Sequence, residues 1–150
     1  MTSKVSYTGN LRTEAIHLKS GSRIETDAPV DNEGKGERFS PTDLVATALG
    51  SCMMTLMGIV ANRHEWDLEG AYCEVEKIMA TQPRRISAIN VHLYLPASAP
   101  THAKARKILE HAALTCPVFE SLHPNCAKNI SFHWATPDEV EADGTLEASL

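Results

Sequence analysis

One long apolar segment, from Ser40 to about Arg63, constrains the fold more than any other feature of the sequence. Ser40 can cap a helix, Pro41 suits the first helical position, and Asp43 places a carboxylate in the first turn. An apolar stripe follows at helical spacing: Leu44, Val45, Ala48, Leu49, Cys52, Leu56, Ile59 and Val60. Much of the remaining helix surface is also apolar. We therefore expect a helix that is buried nearly all round, inside the domain or at a subunit interface.

A membrane-spanning helix is the alternative interpretation of this segment. Its apolar stretch is near the lower length limit for crossing a bilayer and is interrupted by Thr47, Ser51 and Thr55. A buried helix of a soluble protein is therefore favoured, and no membrane partner is expected.

Strand-like and helical segments are separated along the rest of the chain. Short alternating pieces at residues 5–7, 12–18 and 23–26 are broken by turn residues and predict an antiparallel meander. Residues 69–80 and 86–95 predict two further strands joined at Gln82-Pro83. A helix after Pro100, a helical turn at 118–122 and a last strand at 130–134 follow. This order predicts an α+β fold with mainly antiparallel sheets.

Charge and composition limit the classes of partner. The formal net charge is -5, and residues 137–150 contain five acidic and no basic residues, which leaves 14 acidic against 14 basic residues in the body. We predict one domain over residues 1–136 and a disordered acidic tail over 137–150. The balanced body favours neither nucleic acid nor an anionic membrane as a partner. Without a secretory pattern, a cytoplasmic location is expected.

Four cysteines are too few and too scattered for a disulfide scaffold. Cys52 and Cys116 each lie on the apolar stripe of a predicted helix, so the two sulfurs would face each other if these stripes packed together. A buried cysteine is more often a small hydrophobic residue, and that reading stays open for both. Cys73 is expected in the core and Cys126 in a loop. No Cys-x-x-C pair is present, so no metal site is predicted.

The position of Cys116 leaves its reactivity open. It lies between the end of one predicted helix and Pro117, which can begin another. A helix N-terminus would favour the thiolate, whereas a C-terminus would oppose it.

Residues 39–52, FSPTDLVATALGSC, closely resemble the cysteine helix of the osmotically inducible protein C and organic hydroperoxide resistance (OsmC/Ohr) family. Cys116-Pro117-Val118 is similar to the family's second cysteine motif. The order and spacing of the elements also match, over all of the chain except the acidic tail. The resemblance implies an intertwined homodimer with a central buried cysteine helix and two sites at the interface.

The same resemblance implies a thiol-dependent peroxidase that acts on small organic hydroperoxides without a cofactor. Cys52 would attack the peroxide and become a sulfenic acid, and Cys116 would condense with it to a disulfide. A dithiol reductant would restore both thiols. The family's supporting arginine matches Arg12, and Asp43 lies near the position of the family's glutamate that holds it.

Several alternatives remain open at these positions. Arg12 could be a surface charge of a strand edge, with Arg23 and Arg38 as replacements, and Asp43 could serve only the helix terminus. Met53, Met57 and Phe119 are candidate apolar walls of a substrate pocket. The protein could also be a small-molecule-binding or redox-sensing dimer of the same fold without efficient turnover. A third alternative is a dimeric interaction domain with inert cysteines.

Overall fold

The computed structural model describes residues 1–137, which form two compact units, Met1–Val45 and the chain from Ala46 onward. The first unit contains three strands, and the second contains another three-stranded sheet with helices. The predicted α+β class is confirmed. The predicted tail, apart from Pro137, lies outside the described residues.

The first unit is the predicted antiparallel meander. Its strands β1 (Ser3–Gly9), β2 (Arg12–His17) and β3 (Arg23–Asp27) pair in sequence order. Residues 9–11 adopt positive φ angles in the tight turn between β1 and β2. In the β2/β3 pair, Arg12 lies directly opposite Asp27.

Helix α1 extends from Pro41 to Arg63, as its start signals and apolar spacing predict. The side chains of Leu49, Met53 and Met57 are fully buried. The expectation of burial nearly all round is wrong for the single chain, because Val45 and Ile59 are 40% and 41% exposed. Helical geometry turns these side chains away from the packed face. The alternative of a subunit interface stays a prediction.

By length and composition alone, α1 could cross a membrane, with a mean hydropathy of 1.9 over its most apolar window. Core helices of soluble proteins have the same property. Here the buried side chains of α1 belong to one hydrophobic cluster that also includes Ile89 and Leu93 of a sheet. One face of α1 is therefore packed inside the protein, while 33% of the residues in its most apolar window are buried.

The sheet of the second unit contains β4 (Tyr72–Ala80), β5 (Arg85–Leu95) and β6 (Ala127–Trp134) in sequence order. β4 and β5 are antiparallel, whereas β5 and β6 are parallel. The alternation predicted for β5 is confirmed, since its residues at 89, 91, 93 and 95 are buried. Between β5 and β6 the chain forms α2 (Ala103–Leu114) and α3 (Pro117–Ser121), the kind of crossover that a parallel pair requires.

Candidate functional site

Cys52 lies in the middle of α1, on a continuous helical backbone. Its side chain is half-buried and packs against the hydrophobic cluster of the second unit. The sulfur is a free thiol. Its position is fixed by the helix, while part of its surface remains accessible.

Cys116 lies outside α2 and caps the next helix, α3, which Pro117 begins. The Cys116 sulfur accepts a hydrogen bond from the backbone N–H of Phe119 at 3.4 Å. This contact lowers the pKa of the thiol, but burial raises it more, so the pKa of Cys116 lies above its usual value. The sequence left open which helix terminus acts on Cys116. In the structure Cys116 is at a helix N-terminus, but burial has the larger effect on its pKa.

The two thiols are neighbours in the second unit. A hydrogen bond and a charge interaction with Cys52 contribute further to the raised pKa of Cys116. Both cysteines are free. Two thiols this close can be oxidised to a disulfide and reduced again by thiol exchange.

Arg12 belongs to the first unit, where its guanidinium forms a two-pronged ion pair. Its Nε donates to Oδ1 of Asp27 at 2.6 Å and its Nη2 donates to Oδ2 at 2.8 Å. Nη2 also donates to Glu37 at 3.1 Å. Asp27 is fully buried, and these contacts raise the pKa of Arg12 and lower that of Asp27. Geometry of this kind fixes the direction of a guanidinium.

Asp27 was not among the residues that the sequence singled out. It stands at the end of a strand in a polar stretch, without a motif around it. The strand register could have identified Asp27 from the sequence. Pairing β2 with β3 around the Ser20-Gly21-Ser22 turn places Asp27 opposite Arg12.

Asp43 forms a reciprocal cap with Ser40 at the start of α1. Ser40 N–H donates to Oδ2 of Asp43 at 2.9 Å, and Asp43 N–H donates to Oγ of Ser40 at 3.1 Å. This arrangement satisfies two backbone donors at the helix terminus. The predicted capping role of Ser40 is confirmed, and Asp43 shares in it. The alternative arginines, Arg23 and Arg38, form exposed ion pairs with Glu14 and Glu25.

The three candidate pocket residues have different surroundings. Met53 and Met57 are buried in the core, at 0% and 1% exposure. Phe119 is half-buried, and the Lys128 ammonium lies 5.1 Å from its ring centre. A cavity of about 360 Å³ opens beside Met57 and Trp66 at the end of α1, with neither Cys52 nor Cys116 in its lining.

The two remaining cysteines, Cys73 and Cys126, have hydrophobic surroundings. Cys73 packs against the core, as predicted, and burial raises its pKa. Cys126 is buried and belongs to the same hydrophobic cluster. Within residues 1–137, no group of three or more His, Cys, Asp or Glu side chains could hold a metal ion.

Comparison with known proteins adds to this geometry. The family model described as OsmC-like protein matches residues 34–131, more than half of the chain. Comparison with curated protein sequences gives no match. A solved structure from Psychrobacter arcticus 273-4, provisionally named an osmotic stress induced and detoxification response protein, is 50% identical. It aligns over 89% of this chain and 96% of its own, with a TM-score of 0.85.

Two more distant structures share the fold. The Legionella pneumophila protein named organic hydroperoxide resistance protein OsmC is 17% identical, with 89% of this chain and 97% of its own covered and a TM-score of 0.69. An organic hydroperoxide resistance protein from Elizabethkingia anophelis is 16% identical, with 89% and 96% covered and a TM-score of 0.63. Together with the cysteine helix and the second cysteine at α3, the family match leads to one conclusion: this chain belongs to the OsmC-like protein family.

Proposed function

We propose that the protein is a thiol-dependent peroxidase that reduces organic hydroperoxides. The observation that carries the proposal is the neighbouring pair of free thiols, Cys52 and Cys116. The names of the Legionella and Elizabethkingia proteins, which share this fold, support it. The partners in this proposal are an organic hydroperoxide, a dithiol reductant and a second copy of the chain.

Cys52 is assigned the first chemical step. Its thiolate attacks one peroxide oxygen, the O–O bond breaks, and the alkoxide takes up a proton to leave as an alcohol. Cys52 becomes a sulfenic acid. Support comes from its place on a continuous helix with a half-buried side chain, since an attacking group must be both preorganised and accessible.

Cys116 is assigned the second step. Its sulfur attacks the sulfenic sulfur of Cys52, an S–S bond forms, and the hydroxyl leaves as water. Burial raises the pKa of Cys116 and disfavours its thiolate, which argues against Cys116 as the group that attacks peroxide first. A dithiol then reduces the disulfide by two successive exchanges.

Arg12 and Asp43 enter the proposal as groups that support the reactive thiolate. The ion pair with Asp27 gives Arg12 a fixed direction. Asp27 and Glu37 together carry two negative charges against the one positive charge of Arg12, so these three side chains do not form a net positive cluster. Asp43 contributes by fixing the start of α1.

A second candidate function is small-molecule binding or redox sensing without efficient turnover. The separate cavity beside Met57 and Trp66 favours it, because its volume suits a small ligand and its lining includes no thiol. In this case the thiols would change their redox state slowly.

The deciding experiment is peroxide consumption by the purified protein with dithiothreitol as reductant. One series uses cumene hydroperoxide and another uses hydrogen peroxide. We expect rapid consumption of the organic hydroperoxide and loss of that activity in Cys52→Ser. Cys73→Ser is the matched control and should retain activity. Slow consumption in the parent protein, unchanged in Cys52→Ser, would favour the second candidate.

A further inference from the structure

Four aromatic rings form a ladder across the outer face of the second sheet. Tyr72 stacks on Tyr94 with ring centres 4.8 Å apart, and Tyr94 stacks on His133 at 4.6 Å. His133 stacks on His92 at 5.3 Å. The ladder joins all three strands, because Tyr72 and Tyr94 face each other across β4 and β5, and Tyr94 faces His133 across β5 and β6.

This face is distinct from the one that carries the thiols. Along β5 the buried residues Val91 and Leu93 point into the cluster that contains Cys52 and Cys116. His92, between them, is exposed, and so is His133 on β6. Because neighbouring residues of a strand point to opposite faces, the two histidines lie on the side away from that cluster.

One ring nitrogen of each histidine faces the ring of the other. Nδ1 of His92 lies 3.1 Å from Nε2 of His133. When two imidazole nitrogens bind the same metal ion, each lies about 2.0–2.1 Å from it. For N–metal–N angles between the square-planar and the tetrahedral value, the two nitrogens are then about 2.8–3.4 Å apart. The observed separation falls inside this range. Both histidines lie on paired strands, so their backbones are already held in place.

We propose that His92 and His133 bind a divalent first-row transition-metal ion, such as Ni²⁺, Cu²⁺ or Zn²⁺. Imidazole is a preferred ligand of all three ions. The site has two protein ligands, and water completes the coordination. Both histidines are exposed to solvent, which can supply that water.

One acidic residue, Glu74, is opposite His92 in the β4/β5 register and on the same face of the sheet. Without metal, one ring donates its N–H to the other. Metal binding requires both facing nitrogens as lone pairs, so the donor ring moves its proton to its other nitrogen and no redox step is involved.

Isothermal titration of the untagged, reduced protein with NiCl₂ at pH 8 tests this inference. We expect one Ni²⁺ per chain, with the binding isotherm lost in both His92→Gln and His133→Gln. His111→Gln, at an exposed position on α2, is the matched control and should bind as the parent does. Circular dichroism verifies that each variant is folded.

Thiol binding is separated from histidine binding by the Cys52→Ser/Cys116→Ser double variant. Retention of the Ni²⁺ isotherm in that variant supports the histidine site. An isotherm that survives in both histidine variants, or disappears in the cysteine variant, overturns the inference. No binding in the parent protein also overturns it and means that the 3.1 Å contact is an ordinary hydrogen bond between two rings.

Discussion

The Cys116 sulfur accepts the backbone hydrogen of Phe119 at the start of α3, while the same thiol lies beside Cys52. One contact fixes the sulfur at a helix terminus, and the other places it beside a second free thiol. Since α3 has only five residues, its first turn can shift without breaking a long helix. This arrangement suits a thiol that must move a short distance to form a disulfide.

The two thiols should therefore behave differently when each is removed. We expect Cys52→Ser to abolish organic hydroperoxide reduction. Cys116→Ser should react once and leave Cys52 as a sulfenic acid, because the thiol assigned to resolve it has been removed. Mass spectrometry after one equivalent of cumene hydroperoxide, with dimedone trapping, detects this product. The parent protein should instead give a Cys52–Cys116 disulfide, and its absence would contradict the assignment.

Gly50 should be required for the close packing of α1 on β4. A Cβ at this position would lie 2.9 Å from Sγ of Cys73 and 2.9 Å from Cγ2 of Val75. We expect Gly50→Ala to lower the free energy of unfolding by about 1–3 kcal/mol through overpacking. Urea denaturation gives the value.

Gly58 provides the matched control for that substitution, since it lies in the same helix and a Cβ there would meet nothing within 4 Å. Gly58→Ala should raise stability by up to about 1 kcal/mol, because alanine favours the helix. Equal effects of the two substitutions would show that the Gly50 contact is not limiting.

The Arg12–Asp27 pair should make stability depend on pH. The hydrogen bonds and charge of Arg12 lower the pKa of Asp27 in the folded protein below its value in the unfolded chain. The stability that this provides is present above the unfolded-state pKa, about 3.9, and is lost as the pH falls through the lower folded-state pKa. We expect Asp27→Asn to lower the melting temperature at pH 7 and to differ less from the parent in acid.

Glu37→Gln is the control for this prediction, since Glu37 also contacts Arg12 but its side chain is 59% exposed. Solvent screening should make its effect small at every pH. Thermal melts of the three proteins between pH 3 and pH 7 provide the comparison. A constant difference between Asp27→Asn and the parent across this range would rule out the pH-dependent contribution.

The exposed apolar side chains of α1 predict a homodimer. Val45 and Ile59 remain accessible in the single chain, on a helix that is apolar over most of its surface. We expect light scattering to give the mass of a dimer. Ile59→Asp should shift the protein toward monomer, whereas Lys107→Asp, at an exposed position on α2, should not. A stable folded monomer of the parent protein would disprove the prediction.

The sequence determined what depends on neighbouring residues. Ser40, Pro41 and the apolar spacing after them located α1, and the alternation along β5 identified its buried face. Backbone periodicity and capping need only a few adjacent residues, so they can be inferred without a structure. The two cysteine motifs were also sufficient to indicate the family.

Tertiary structure decided the relationships between distant residues. It paired Arg12 with Asp27, made β5 and β6 parallel, and placed Cys116 at the start of α3 beside Cys52. It also brought Cys73 against Gly50, and it placed His92 next to His133. Such contacts depend on strand register and on how the helices pack over the sheet. These are set by the whole chain, because a local pattern is compatible with more than one partner.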